Sequence, residues 1–250
     1  MKRSSTNRKL YYLFGILFIV FIWTILSLLF DENNFIFPSI TSVFNEFVNI
    51  LKSSYTYKCL LYTLIRMFIG YFISIVMSIV FATAASISIK FRYFIKPYIT
   101  VLKTIPTASL VFFFLVLSGA KNAPIYIVML ICFPILYESM LAGYINIDSS
   151  IDDVLLIEGG STLTKIIKVR FPLALKELFI GISSSFGLAF KIEIMAEVIA
   201  GATSYGLGSA INYIQKSNPT NLKGIFAYSL LAVIIAIIFD GLIKIIKSED

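Results

Sequence analysis

Met67-Phe-Ile-Gly-Tyr-Phe-Ile-Ser-Ile-Val-Met-Ser-Ile-Val-Phe-Ala-Thr-Ala-Ala-Ser-Ile-Ser-Ile89 is a run of 23 uncharged residues between Arg66 and Lys90. Wound as a helix at ~1.5 Å per residue, it is long enough to cross a ~30 Å hydrocarbon core. Comparable runs lie on both sides of it. Leu10 to Phe30 holds 21 uncharged residues, longer than the ~7–15 of a secretory signal core, and no small-x-small cleavage site precedes Asp31. It is expected to be a retained anchor. Further spans are expected from Pro97, where proline suits a first helical turn, to Ser118-Gly119, and from Ala123 to Ile147. The fifth covers Ala174 to Ala200 and carries Lys191, Glu193 and Glu197; the sixth covers Gly224 to Ile243.

The composition agrees. Of 250 residues 58% are hydrophobic and 14% charged, with a mean hydropathy of +0.91, against ~25% charged in soluble domains. The chain is therefore expected to be all-α, a single polytopic membrane domain filling residues 1–250 in six transmembrane helices. No histidine is present, which excludes His-dependent triads, HExxH zinc sites and haem ligation by His. Cys59 and Cys132 stand apart in apolar surroundings and form no CxxC motif, so they read as small lipid-buried residues. A GxxxxGK[ST] phosphate loop is also missing. No enzymatic activity, metal or cofactor is expected.

The net charge of +7 follows membrane orientation and implies no nucleic-acid partner. With the N-terminus inside, the cytoplasmic segments hold 13 of the 21 basic residues and the outer segments five. Inversion would reverse that ratio, so both termini are expected in the cytoplasm. Between the first two spans, Val43, Phe44, Phe47, Val48 and Leu51 recur at helical spacing, which predicts a short helix on the outer surface.

The longest cytoplasmic loop is residues 146–172. Asp148, Ser149 and Ser150 are N-cap types ahead of an apolar-periodic segment, Ile151 to Ile157, that Gly159-Gly160 would end. Ser161 is placed to cap a second helix, Leu163 to Val169, before Pro172 opens the fifth span. Two short amphipathic helices joined by a glycine turn would expose apolar side chains to the cytosol unless a partner covered them.

Here the sequence resembles the coupling loop of ABC-transporter permeases, with its Glu-Ala-Ala, three residues, Gly, nine residues, Ile-x-Leu-Pro. Counting back from Pro172 places Asp153 at the Glu, Gly159 at the Gly, Val169 at the Ile and Phe171 at the Leu; Val154 and Leu155 replace the alanines. Segments around the loop resemble the nitrate, sulfonate and taurine importer branch. They are Leu64-Ile-Arg-Met-Phe-Ile-Gly-Tyr71, Lys103-Thr-Ile-Pro106, Phe133-Pro-Ile-Leu136, Ala196-Glu-Val-Ile199 and Gly206-Leu-Gly208. The resemblance implies a type I ABC-importer permease fold with its core over about 60–245. It implies a multi-pass subunit of the cytoplasmic membrane, paired with a second copy of itself (a homodimer). It also implies a cytoplasmic ABC ATPase subunit that hydrolyses ATP, and an extracytoplasmic solute-binding protein that delivers a small, anionic, nitrate-, sulfonate- or taurine-like solute.

Five charges fall in or beside the spans. Arg66, at the outer end of the second, either snorkels to the headgroups, the simpler reading, or attracts substrate. Glu138, deep in the fourth, is expected to face the bundle interior or be protonated, whether for packing or to line a pathway. Glu193 and Glu197 share a helix face, with Glu197 near the outer rim where the interface would accommodate it. Lys191 points ~160° away from Glu193 and needs a partner on another helix, in the other protomer or in a polar pathway. Gly181, Ser183, Ser184, Ser185 and Gly187 read as a close-packing face. An ion-coupled secondary transporter is the alternative, but discontinuous spans and an internal repeat, its usual marks, are not evident.

Overall fold

The structure, a computed structural model, describes residues 5–29, 37–148, 150–151, 162–201, 205–220 and 222–248, and all its elements are helical. They are α1 (Ser5–Leu29), α2 (Ile40–Lys52), α3 (Ser54–Ile87), α4 (Ile89–Thr104), α5 (Thr107–Ile145), α6 (Thr162–Lys165), α7 (Phe171–Ala200), α8 (Leu207–Ser217) and α9 (Leu222–Ser248), with a π turn, Ile166–Arg170, joining α6 to α7. Asp153, Gly159 and Ser161 lie outside the described residues.

Four stretches are long and apolar enough to cross a membrane: Ser54–Ile87, Thr107–Ile145, Ile166–Ala200 and Leu222–Ile243. A shorter apolar helix, Leu13–Leu29, lies within the expected first span. The expected third and fourth spans meet inside α5 at Gly119, whose φ of 75° and ψ of 165° break the helix there. That conformation is essentially confined to glycine, so the break is written at one residue.

One expectation about proline is corrected. Pro97 does not open a helix; it sits inside α4, which begins at Ile89 behind the Ser88 hydroxyl that accepts from Phe91 N–H at 3.2 Å. The break comes instead at Ile105-Pro106, because a residue before proline is driven to extended backbone, and Ile105 has ψ 130°. Pro172 does stand in the first turn of α7, as expected, and the backbone runs helically through the π turn from Thr162 to Ala200. The π turn absorbs the proline: the Phe171 N–H reaches back five residues to the Ile166 carbonyl, the wider turn that a ring lacking an N–H tolerates. The second loop helix is thus the N-terminal extension of α7. On the other side of the loop the Asp148 carboxyl accepts from Ser150 N–H at 2.8 Å, a bond that holds its exposed carboxyl below the usual carboxylate range; the helix it was expected to cap lies largely outside the described residues.

The centre of the bundle is α5 packed on α3 and α7. Small residues set the approach: a β-carbon on Gly143 would lie 2.7 Å from the Ala174 carbonyl oxygen, and one on Gly181 2.6 Å from Ser139 Cβ. The packing role read for Gly181 and its neighbours fits this contact. Cys59 and Cys132 are free and buried inside the bundle, not against lipid. Helix α2, capped by Ser39, buries Val43 and Ile50 and packs on α9. Helix α1 is largely exposed and joins the bundle through Trp23, whose indole donates to the Pro38 carbonyl at 3.1 Å and whose ring meets Phe37 and Phe226 edge-on.

Candidate functional site

One face of α3 carries Cys59, Thr63, Arg66 and Gly70 at helical spacing, all buried or closely packed. Opposite it, Glu193 and Glu197 present both carboxyl groups from one face of α7. Arg66 Nε donates to Glu193 Oε1 at 3.3 Å, its Nη2 donates to Glu197 Oε1, and the same nitrogen reaches the Tyr205 carbonyl at 2.8 Å. Thr63 donates to the Glu197 carboxyl, 2.9 Å from Oε2, and accepts from Leu207 N–H at 2.9 Å. Gly208 N–H donates to Glu197 Oε2 at 2.9 Å. Glu197 is therefore an ion-pair partner within the bundle and an acceptor for the start of α8.

The chain returns over this cluster so closely that two positions admit no side chain. A β-carbon on Gly206 would lie 2.6 Å from Arg66 Nη2 and 2.7 Å from the Glu197 carboxyl. On Gly208 it would strike the Ile194 carbonyl oxygen and sit 2.6 Å from Glu197 Cβ. Tyr205 pins the approach to α3, stacked on Tyr62 at 5.3 Å with Lys58 Nζ 5.8 Å from its ring. Three of the motifs singled out in the sequence, around Arg66, around Glu197 and at Gly206-Leu-Gly208, thus meet in one polar junction among α3, α7 and α8.

Two expectations fall here. Arg66 does not snorkel: it is 6% exposed and aimed inward. Helix α3 starts at Ser54 rather than beside Arg66, which leaves the guanidinium ~18 Å along the helix, with two carboxylates nearer than any headgroup. Glu197 does not rest at an outer interface, because the return into α8 covers it and it is 0% exposed, as is Glu193.

The remaining charges stand apart from this junction. Glu138 does not face the bundle interior; its side chain is 49% exposed and accepts from Lys103 Nζ at 2.8 and 2.9 Å. The lysine supplies the compensating charge that interior burial would otherwise have had to provide. Lys191 is exposed at the edge of an apolar groove of about 360 Å³ between α7, α8 and α9, lined also by Ile194, Val198, Ile211 and Ala232. No acidic side chain among the described residues lies within ion-pair distance of it. Val169 and Phe171 are partly buried at the π turn, Phe171 against the core, and Pro172 is exposed. Sequence reasoning missed Thr63, Lys103 and the backbone donors at Leu207 and Gly208. The Thr63–Arg66 spacing was the available signal, since it puts a hydroxyl on the face of a charge that must find partners.

A family model described as the binding-protein-dependent transport system inner membrane component matches residues 70–248. The aliphatic sulfonates transport permease protein SsuC of Bacillus subtilis (strain 168) is 21% identical, over 99% of this chain and 90% of that protein. Two solved structures share the fold. An amino acid ABC transporter with histidines aligns with TM-score 0.63 at 16% identity, over 84% of this chain and 97% of its own. The MetNI methionine ABC transporter in an inward-facing conformation aligns with TM-score 0.58 at 17% identity, over 76% and 91%. The matched span runs from the glycine after Arg66 through the carboxylates of α7, the glycines before α8 and the whole of α9. This chain belongs to the binding-protein-dependent transport system inner membrane components, the permeases of ABC transporters.

Proposed function

We propose that the protein is the membrane-spanning permease subunit of an ATP-driven importer that carries a small, anionic, sulfonate-like solute into the cytoplasm. Six crossings with both termini inside are supported by the basic-residue bias. A second copy of the chain completes the pathway, an extracytoplasmic binding protein loads it, and a cytoplasmic ATPase engages residues 146–172 through Asp153, Gly159, Val169, Phe171 and Pro172.

The observation that carries this reading is the unbroken helix from Thr162 to Ala200. It links the loop to Glu193 and Glu197, ~50 Å away at ~1.5 Å per residue. A displacement imposed on the loop by ATP-driven closure of the partner reaches the far junction along one rigid element, and the junction ties that element to α3 and α8. Alternating access then follows from rocking α7 against α3 rather than from any chemistry in this chain. Lys191, a cation with no ion-pair partner among the described residues and at the edge of an apolar groove, is assigned to passage of the anionic group.

The test is uptake of a radiolabelled alkanesulfonate into proteoliposomes holding this chain, its ATPase and its binding protein. Transport should require internal ATP and persist when ion gradients are collapsed. Uptake driven by a gradient without ATP would replace this reading by a secondary transporter.

A further inference from the structure

We propose that the Arg66–Glu193–Glu197 junction binds one proton, held on Glu193, so that the buried unit is electrically neutral. The argument begins with a count of charges. One guanidinium faces two carboxyl groups, each 0% exposed, so full ionisation would leave a net charge of minus one sealed inside the bundle. No other cation among the described residues lies within ion-pair distance of either carboxyl. Helix α3 offers Arg66, the Thr63 hydroxyl and the neutral thiol of Cys59; the start of α8 offers the Gly208 N–H; α7 itself offers only the other carboxyl.

The donors are divided unequally. Glu197 accepts from Arg66 Nη2, from Thr63 and from Gly208 N–H, a set that suits a carboxylate. Glu193 has Arg66 Nε at 3.3 Å on one oxygen and, among the described residues, no partner on the other. An anion left this bare, beyond the reach of water, is the costly state, and a carboxylic acid is the cheap one. Both carboxyl groups engage the same guanidinium, Glu193 through Nε and Glu197 through Nη2, so two carboxylates would repel each other across a single cation. A single proton on Glu193 removes that repulsion and takes the charge off the orphaned oxygen. Held in this way, the junction keeps the start of α8 docked on α3 and α7 without leaving a charge buried.

The purified transporter complex tests this by two measurements that do not depend on knowing the solute. In infrared spectra at neutral pH, the wild type should show the carbonyl stretch of a neutral carboxylic acid, and Glu193→Gln should remove it. Glutamine is the neutral isostere of a protonated glutamate, so Glu193→Gln should unfold within about 2 °C of wild type, whereas Glu197→Gln should fall by about 6 °C or more. Absence of the infrared band in wild type would overturn the proposal. So would a Glu193→Gln variant that loses as much stability as Glu197→Gln or fails to accumulate.

Discussion

Replacing Arg66 by methionine removes the one cation of the junction while nearly preserving side-chain length and its packing in the bundle. Glu193 loses the only donor found for it, and Glu197 loses one of three. The Tyr205 carbonyl loses its 2.8 Å partner as well. Breaking a buried pair by deleting one member costs about 3–5 kcal/mol, because the surviving charge stays buried. The lost bond to the Tyr205 carbonyl adds about 1 kcal/mol. At roughly 2–4 °C per kcal/mol for a chain of this size, unfolding should fall by on the order of 10 °C or more. Arg66→Lys should recover only part of this, since an ammonium cannot present the planar fork that reaches both carboxyls and the carbonyl. The triple variant Arg66→Met, Glu193→Gln, Glu197→Gln should be more stable than Arg66→Met alone, because it leaves no buried charge without a partner. Thermal unfolding of the purified complex, followed by tryptophan fluorescence or by loss of the monodisperse peak, reads all three. An Arg66→Met variant that unfolds within a degree or so of wild type would refute the assignment of a buried, mutually dependent charge cluster.

Gly208→Ala should cost about 1–3 kcal/mol, because its β-carbon meets the Ile194 carbonyl oxygen and Val198 N, backbone atoms that cannot rotate away; an unchanged unfolding temperature would contradict the close approach. Asp153→Lys and Gly159→Leu should abolish uptake while leaving the chain folded in the membrane, with weaker co-purification of the ATPase; full uptake by both would remove the coupling role of residues 146–172. Lys191→Met should depress uptake about tenfold or more, the equivalent of ~1.4 kcal/mol, with membrane accumulation and assembly near wild type. If it fails to accumulate and an acidic-neighbour charge swap restores it, Lys191 is structural. Ser161→Cys should react with an impermeant thiol reagent only after the membrane is opened, and labelling in intact cells would invert the topology.

What the sequence determined by itself is local. Four of the expected apolar runs, the break at Gly119 and the shared face of Glu193 and Glu197 follow from solvent transfer and helix geometry within a few residues, and these are present in the structure. The reading of Pro97 failed for a related reason: whether a proline opens or merely sits within a helix depends on how the flanking turns relax, and α4 continues through Pro97. The tertiary structure decided who pairs with whom. Arg66 lies 127 and 131 residues from its carboxylates, and Lys103 lies 35 from Glu138. No periodicity spans such distances; the pairing comes from helix approach, set where glycines let α5 meet α3 and α7, and where Gly206 and Gly208 let the chain close over Glu197. Arg66 alone looked like a charge seeking water, because its partners exist only once α3, α7 and α8 are packed.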